Sequence, residues 1–343
     1  MTVLYQSDHP RAVHEVCDLL RSGKIGAIPT ETVYGLAADI QQPQAVEAVF
    51  QAKGRPAFDP LIVHVASQNQ AETVARFNPL AHRLADLFWP GPLTLVLPKT
   101  PSISSRITAN LNTVAVRCPA HPIMREVLME SGLSLAAPSA NPFGRISPTQ
   151  ASHVLEHLNS KIDFVLDGGS TQHGLESTIL KVVESNSVEI LRPGPINSQS
   201  LKDALPELNI QDIESKSETA EATPAAPGML DRHYSPATPL ALFGPTDEEA
   251  IAAASSFRSN RSGKKVAWVF LQALPHDLDS SSMGNIHFVA QGQDMVQVGR
   301  RLYTTLHELD KKGFDLIYFQ TAPDGQLGDT INDRLARAEG RGK

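Results

Sequence analysis

The sequence predicts an α/β protein of two domains, and three observations lead to that prediction. The chain has 343 residues with 41% hydrophobic content, which is enough to bury a sizeable core in each of two domains. Short apolar runs alternate with segments of helical periodicity along most of the chain, a pattern typical of α/β folds. Residues 206–226 are acidic and contain no aromatic side chain, so they are predicted to form a linker.

Residues 1–205 are predicted to form the first domain. Helix 11–21 carries apolar residues at helical spacing, and helix 43–53 ends at Gly54 with a proline just beyond. The other helices are predicted at 80–88, 123–130 and 149–158, and the strands at 25–28, 36–38, 61–65, 93–97, 113–117, 135–137, 164–166, 178–183 and 188–191. Because some strands form hairpin-like pairs, we expect a twisted mixed sheet with helices.

Residues 237–343 repeat the alternation on a smaller scale. Strands are predicted at 240–243, 266–271, 286–289 and 316–319, and helices at 246–258 and 294–310. This order predicts a smaller Rossmann-like, doubly wound domain. The linker, 206–236, ends in PGMLDRHYSP, which is too rich in aromatic and charged groups for a simple spacer.

Composition excludes several classes of function. The formal net charge is −7, so no general basic field attracts nucleic acid. No apolar window approaches the roughly 20 residues of a membrane span, and a cytoplasmic location is the expectation. Cys17 and Cys118 belong to no Cys/His cluster, and the chain has neither GxxxxGK[ST] nor GxGxxG between a strand and a helix.

Polar residues recur at the ends of predicted strands and in the loops that follow them. They are Thr30, Thr32, Lys53, Arg55, His64, Thr113, Arg117, Ser139, Asn141, Ser147, Ser177 and Arg192. Because ligands bind at that edge of an open α/β sheet, we expect these groups to converge on one cleft.

Each residue also has a purely structural interpretation. The threonines of the turn in residues 29–32 can bond their own backbone, and Lys53 and Arg55 can be solvated cations at a helix end. A histidine inside an apolar strand, such as His64, is more often a hydrogen-bonded core residue than a catalyst. The number of such groups at one edge favours a ligand site.

These residues belong to motifs that resemble a known family. PTETVYGL, KGRP, HV, WPGPLTLVL, VAVRCP, APSAN, SPT, GLESTI and LRPG occur in this order within residues 9–205 and resemble the YrdC-type domain. PGMLDRHYSP and the closing INDRLARA resemble the linker and the C-terminal domain of the long-form threonylcarbamoyl-AMP synthases. The resemblance covers almost the whole chain outside residues 206–226.

The resemblance implies an enzyme that joins L-threonine, bicarbonate or CO2, and ATP into L-threonylcarbamoyl-AMP and releases pyrophosphate. A partner transferase complex would then move the threonylcarbamoyl group to the adenosine beside the tRNA anticodon, so contact with RNA would be indirect or weak. Mg2+ would accompany ATP, with no protein side chain assigned to bind it. Such a reaction depends on positioning and charge neutralisation, which fits a site with Lys and Arg but no catalytic triad.

The resemblance also implies roles for individual residues. Lys53 and Arg55 would be catalytic. The residues implied for L-threonine are Thr30, Thr32, Tyr34, His64, Arg117, Ala137 and Ser177, with Arg117 the partner of the carboxylate. The residues implied for ATP are Arg55, Asp59, Thr113, Ser139, Asn141, Ser147, Arg192 and Tyr234, the last in a lid that closes over the nucleotide.

Some details stay open in the sequence. Asp59 stands where the family usually has Asn, and its carboxylate would repel phosphates unless it faced magnesium or solvent. Either Thr30 or Thr32 could contact threonine. Two other functions were weighed: an RNA-binding module, which the acidic net charge disfavours, and a carbamoyl transferase, for which the chain lacks acylphosphatase-like and zinc-finger segments.

Overall fold

The computed structural model describes residues 1–212, 226–228, 233–259, 264–271, 273–274, 285–289, 294–325 and 327–340. The chain divides into two compact units. Unit 1 comprises Met1–Phe143 and Ser147–Leu230, and unit 2 comprises Gly144–Ile146 and Asp231–Lys343. Each unit has its own sheet.

Unit 1 is a mixed sheet with helices. Its strands are β1 Val3–Gln6, β2 Gly26–Pro29, β3 Tyr34–Asp39, β4 Ile62–His64, β5 Leu93–Pro98, β6 Thr113–Arg117, β7 Leu135–Ala136, β8 Phe164–Asp167, β9 Thr178–Glu184, β10 Ser187–Arg192 and β11 Asn209–Asp212. Its helices are α1 Ala12–Arg21, α2 Pro43–Lys53, α3 Gln68–Glu72, α4 Pro79–Phe88, α5 Pro122–Ser131, α6 Ala151–Leu158 and α7 Ser198–Ala204. The strand order is β1-β8-β2-β3-β7-β4-β6-β5-β9-β10-β11.

The predicted α/β class with a mixed sheet is confirmed. β2 and β3 are antiparallel, with Ile28 opposite Gly35, and β9 and β10 also form an antiparallel pair. Sequence analysis did not predict β1, α3, α7 or β11. α3, α7 and β11 are short and mostly polar, and β1 is mostly exposed, so no buried apolar run marks them, although Ser67 and Asn197 cap α3 and α7 with their side chains.

The beginning of the predicted linker is part of the sheet. β11 runs parallel to β10, with Val188 opposite Ile210, and Leu208 is buried in the core of unit 1. An edge strand needs backbone hydrogen bonds and one or two apolar contacts, so the polar composition of this stretch concealed it. Residues 213–225 of the same stretch lie outside the described residues.

Side chains alternate between the two faces of the sheet, and this alternation positions the site. In β6, Val114 and Val116 belong to a large apolar core, whereas Thr113, Ala115 and Arg117 point to the opposite face. That second face has a small apolar floor made of Ile62, Val96, Ala115, Ile179, Leu191 and Ala226. We call it the site face, because polar side chains surround this floor.

The loop between β2 and β3 is held by packing on both faces of those strands. Ile28 and Ala37 pack in one apolar cluster with residues of α1 and α5. Ala27 and Leu36 pack in another cluster with residues of α2 and α6. The ends of residues 30–33 are therefore fixed by buried strands.

Unit 2 contains a parallel sheet. Its strands are β12 Leu240–Phe243, β13 Val266–Phe270, β14 Asn285–Phe288 and β15 Leu316–Gln320, in the order β12-β15-β13-β14. Its helices are α8 Asp247–Ser259, α9 Met295–Asp310 and α10 Gly328–Glu339, of which α10 was not predicted. Trp268 is buried and stacks on Tyr318 with ring centroids 4.7 Å apart. No helix among the described residues is long and apolar enough to cross a membrane.

Candidate functional site

The hydroxyl groups of the two threonines in the turn after β2 have different hydrogen-bond roles. The Thr30 hydroxyl donates to the Val33 carbonyl at 2.6 Å and accepts from the backbone N–H groups of Thr32 and Val33 at 3.2 Å. A hydroxyl has one hydrogen, so the 2.7 Å contact between the two threonine hydroxyls has Thr32 as its donor. Thr30 therefore caps its own turn, while the Thr32 hydroxyl keeps lone pairs for a group outside the turn.

That outside group is Arg117, at the carboxyl end of β6. Its Nη1 donates to the Thr32 hydroxyl at 2.9 Å, and its Nε donates to the Gly91 carbonyl at 3.2 Å. Its Nη2 donates to the Glu31 carboxylate at 2.6 Å. Arg117 and Glu31 are both buried, so this is an ion pair removed from water. Three of the five guanidinium N–H groups are thus used by the protein.

Neutral histidines surround this pair. His64 lies directly opposite Arg117 in the β4–β6 register. Burial, with a smaller contribution from Arg117 and against the influence of Glu31, lowers the pKa of His64 to about 3. Burial also lowers the pKa values of His121 and His173, again against the influence of Glu31. At neutral pH the cluster therefore combines one anion, one cation and uncharged imidazoles.

The buried state of His64 predicts a pH dependence of stability. Because its folded-state pKa lies below the ordinary value of 6.5, its contribution is complete above pH 6.5 and is lost as the pH falls toward 3. We expect His64 to account for a loss of about 2 kcal/mol in the unfolding free energy of unit 1 between pH 7 and pH 5. Urea unfolding, followed by Trp89 fluorescence in a Trp268→Phe background, measures this loss.

The matched variants are His64→Gln, which should lack this loss, and His9→Gln at an exposed position, which should retain it. An equally steep loss in His64→Gln and in the parent protein would contradict the assignment.

A second group of contacts joins Ser177 to Arg192. The Ser177 hydroxyl lies 2.8 Å from that of Thr94 and accepts from Arg192 Nη2 at 3.1 Å. Arg192 also donates to the Ser177 carbonyl and, through Nη1, to the Pro227 carbonyl at 3.2 Å. Arg192 is therefore held at the junction between β9 and the start of the PGMLDRHYSP segment.

Lys53, the last residue of α2, supports the Ser139–Asn141 turn through hydrogen bonds from its buried ammonium group. Its ammonium group donates to the carbonyls of Ser139 at 2.5 Å and Asn141 at 2.6 Å. The side chain is buried, and burial lowers its pKa well below the ordinary value, with Arg55 adding to the shift and Asp59 opposing it. One of the three ammonium N–H groups has no partner among the described residues. Lys53 is thus a buried support of this turn and not a solvated cation.

Arg55 and Asp59 form a buried ion pair in the loop before β4. Arg55 Nη2 lies 2.9 Å from the Asp59 carboxylate, and Arg55 also donates to the backbone carbonyls of Asp59 and Pro60. Asp59 is completely buried, and burial raises its pKa against the opposing charges of Arg55, Lys53 and Arg192. The Asp59 carboxylate faces neither solvent nor an open position for a metal: it faces Arg55, and its assignment to the ATP site stays a prediction.

The predicted residues share a sheet face and do not all lie at one strand edge. Thr113 is the first residue of β6 and Arg117 the last, and both point to the site face. The parallel β4–β6 register, with Ile62 opposite Ala115, places Thr113 beside the Asp59–Pro60 loop and places Arg117 beside His64. Thr113 and Arg117 are therefore on the order of 13 Å apart along β6, at opposite ends of the apolar floor.

The remaining predicted residues have more limited roles in the geometry. The Tyr34 hydroxyl donates to the Gly169 carbonyl at 2.7 Å and its ring packs in an apolar core, so its polar group is used by the protein. Ala137 follows β7 and bonds the Ile62 carbonyl through its N–H. Ser147 is buried in unit 1. Tyr234 is described within unit 2, where its ring stacks on Tyr303 at 5.8 Å.

Glu31 was missed by sequence analysis. It lies between the candidate residues Thr30 and Thr32. The signal that could have found it is Arg117, which follows an apolar strand. A buried cation requires a counter-ion, and Glu31 supplies it from a position 86 residues away in sequence.

Known proteins share this architecture. A family model described as "Telomere recombination" matches residues 18–194, and one described as "Threonylcarbamoyl-AMP synthase, C-terminal domain" matches residues 196–340. The chain is 40% identical to the threonylcarbamoyl-AMP synthase of Pyrococcus abyssi, over 94% of this chain and 92% of that protein. It is 36% identical to that of Bacillus subtilis, over 96% and 93%. A crystal structure of P. abyssi Sua5 complexed with L-threonine matches 99% of this chain and 98% of its own, with 36% identity and a TM-score of 0.86.

Proposed function

Because the chain belongs to the threonylcarbamoyl-AMP synthase family, we propose that the site face of unit 1 is where L-threonine, bicarbonate or CO2, and ATP react. The product is L-threonylcarbamoyl-AMP, and pyrophosphate is released. The observation that carries this placement is the buried Arg117, which keeps two N–H groups for a ligand carboxylate beside Thr32 and His64. A second set of buried cations lies at the other end of the same floor.

The Arg117 end is assigned to L-threonine. A guanidinium with two N–H groups left to donate can bind a carboxylate with fixed geometry. The hydroxyls of Thr32 and Ser177 and the neutral ring of His64 supply polar contacts without adding charge. The amine must lose a proton to its neutral form before it captures CO2 to make the carbamate. Thr30 and Tyr34 support this pocket through the backbone contacts described above.

The Arg55 end is assigned to ATP. Arg55 and Arg192 are buried cations fixed by several bonds, and Lys53 keeps one N–H beyond the two carbonyls that it holds. Fixed cations of this kind stabilise the charge that develops on the phosphates when the carbamate attacks the α-phosphate and pyrophosphate leaves. Thr113, Ser139, Asn141 and Ser147 complete the proposed nucleotide-binding set of unit 1.

Mg2+ is proposed to enter with ATP. Asp59 is the acidic residue in the proposed nucleotide-binding set, and its carboxylate is paired with Arg55, so it does not fit a metal ligand. Mg2+ commonly keeps several waters and binds substrate phosphates with few protein ligands. We therefore assign no residue of this chain to the metal.

The product is a reactive mixed anhydride, and we propose that a threonylcarbamoyl transferase complex consumes it to modify tRNA. Contact of this chain with RNA would be weak, in keeping with its net charge of −7. A cytoplasmic location remains a prediction.

The function is tested by measuring pyrophosphate release from ATP with the full chain. We expect release to require both L-threonine and bicarbonate, because the nucleophile that attacks ATP is the carbamate. Omitting either substrate should reduce release to background, and carbamoyl phosphate should not replace them. Full activity without L-threonine would refute the proposal.

A further inference from the structure

We propose that Glu31 binds the α-ammonium group of L-threonine, so that the Glu31–Arg117 pair recognises both charges of the amino acid. The inference rests on the proposed function, because it assumes that the Arg117 end of the site face binds L-threonine. It adds a substrate-binding residue whose role is to select α-amino acids against other carboxylates.

The first step is the unequal use of the two Glu31 oxygens. Oε1 accepts from Arg117 Nη2 at 2.6 Å, whereas Oε2 is buried and has no donor in full hydrogen-bond geometry among the described residues. The backbone N–H groups of Glu31 and Ala120 lie close enough to the carboxylate to lower its pKa, but they leave Oε2 without a well-formed bond. The side chain is only 3% exposed, so water cannot readily satisfy that oxygen. Leaving a buried acceptor unpaired costs about 1–3 kcal/mol, and more when the group is charged. A ligand that donates hydrogen bonds would remove this cost.

The second step is the position of Oε2 relative to Arg117. The two Arg117 N–H groups left after the bonds to Gly91, Thr32 and Glu31 belong to Nη1 and Nη2, the same nitrogens that contact Thr32 and Glu31. A carboxylate bound there would lie next to the Glu31 carboxylate. In an α-amino acid the ammonium and carboxylate groups are joined by one carbon, so a ligand held through its carboxylate brings its ammonium group to the neighbouring anion.

The third step is the charge around the pair. Burial tends to raise the pKa of Glu31, but the Arg117 charge and hydrogen bond, together with the backbone N–H groups of Glu31 and Ala120, lower it overall. His64, His121 and His173 have lowered pKa values and are neutral at pH 7, and burial raises the pKa of the Cys118 thiol. The pocket thus presents one positive and one negative group, which complement the two charges of a zwitterion. A ligand with a carboxylate but no ammonium group would leave Glu31 Oε2 without a donor from the ligand.

The same contact suits the reaction. The carbamate formed from threonine still carries one N–H, so Glu31 can accept a hydrogen bond from that nitrogen before and after CO2 is captured. Its lowered pKa makes Glu31 a binding group and a poor proton acceptor. The ammonium group loses two protons when it forms the carbamate with CO2, or one proton and a water when it does so with bicarbonate, and these protons go to solvent.

The test compares L-threonine with (R)-3-hydroxybutanoate, which is threonine without its amino group. Dissociation constants for both ligands are measured by isothermal titration calorimetry on the full chain and on Glu31→Gln. We expect the parent protein to bind L-threonine at least about tenfold more tightly than the analogue. In Glu31→Gln we expect L-threonine to weaken about ten- to hundredfold and the analogue to change by less than about threefold, so the preference disappears.

The control is Glu126→Gln, which removes the same charge from an exposed position on α5 and should leave both constants unchanged. Glu31→Asp, which keeps the charge on a shorter side chain, should retain part of the preference. If Glu31 only positions Arg117, Glu31→Gln weakens both ligands equally or abolishes both, and the inference is overturned. If the parent protein does not bind L-threonine, the proposed function fails instead.

Discussion

Replacing Arg117 with methionine is expected to abolish L-threonine binding and to lower the unfolding free energy of unit 1 by about 3–5 kcal/mol. The binding loss follows from removal of the guanidinium that receives the carboxylate. The stability loss has a different cause: Glu31, 2.6 Å from Arg117 and equally buried, would be left as an unpaired charge. Calorimetric titration of L-threonine and urea unfolding followed by Trp89 fluorescence measure the two effects separately.

The double variant Arg117→Met/Glu31→Gln separates these causes. Removing both charges avoids the unpaired anion, so most of the lost stability should return while binding stays absent. Arg83→Met, which breaks an exposed ion pair with Glu207, is the matched control and should cost less than about 1 kcal/mol. Recovery of threonine binding in the double variant would show that Arg117 does not hold the carboxylate.

Replacing Arg55 with alanine is expected to reduce pyrophosphate release by about 100-fold or more while the affinity for L-threonine is unchanged. Arg55 lies in the loop before β4 with Asp59 and Pro60, at the far end of the floor from Arg117. Its loss removes a fixed cation from the proposed phosphate site and leaves the threonine end intact. The exposed Arg76→Ala is the control for removal of a positive charge.

The same variant should change how stability depends on pH. Burial already raises the pKa of Asp59, and Arg55 is the largest opposing charge, so the pKa rises further in Arg55→Ala. A raised carboxyl pKa means that the folded state binds the proton more tightly, so stability is greatest at low pH and falls as the pH rises through the folded-state pKa. Urea unfolding at pH 5 and pH 8 should show a steeper decline in Arg55→Ala than in the parent protein.

Adding Asp59→Asn to Arg55→Ala should remove that extra decline without restoring pyrophosphate release. A normal rate in Arg55→Ala would remove Arg55 from the proposed catalytic residues. An unchanged pH dependence would mean that Arg55 is not the charge that keeps Asp59 ionised.

The sequence by itself determined the fold class and the family. Apolar periodicity and turn residues are local signals, so they predicted the β2–β3 and β9–β10 hairpins and the parallel strands of unit 2. The ordered motifs from PTETVYGL to LRPG predicted the family, and with it the set of residues around the site. β11 and α7 were not predicted because they are short and mostly polar, whereas strands of similar length such as β8 are marked by a buried apolar run.

The hydrogen-bond partners of the predicted site residues follow from the tertiary structure. The hydrogen-bond roles of Thr30 and Thr32 differ because the one hydroxyl hydrogen of Thr30 is donated to the Val33 carbonyl. Asp59 faces Arg55 because both side chains are buried in the same loop. Glu31 meets Arg117 across 86 residues, and three strands, β3, β7 and β4, lie between β2 and β6 in the sheet, so the turn after β2 makes the contact. Such contacts depend on which strands are neighbours and which face each side chain occupies, and local sequence carries no direct signal of either.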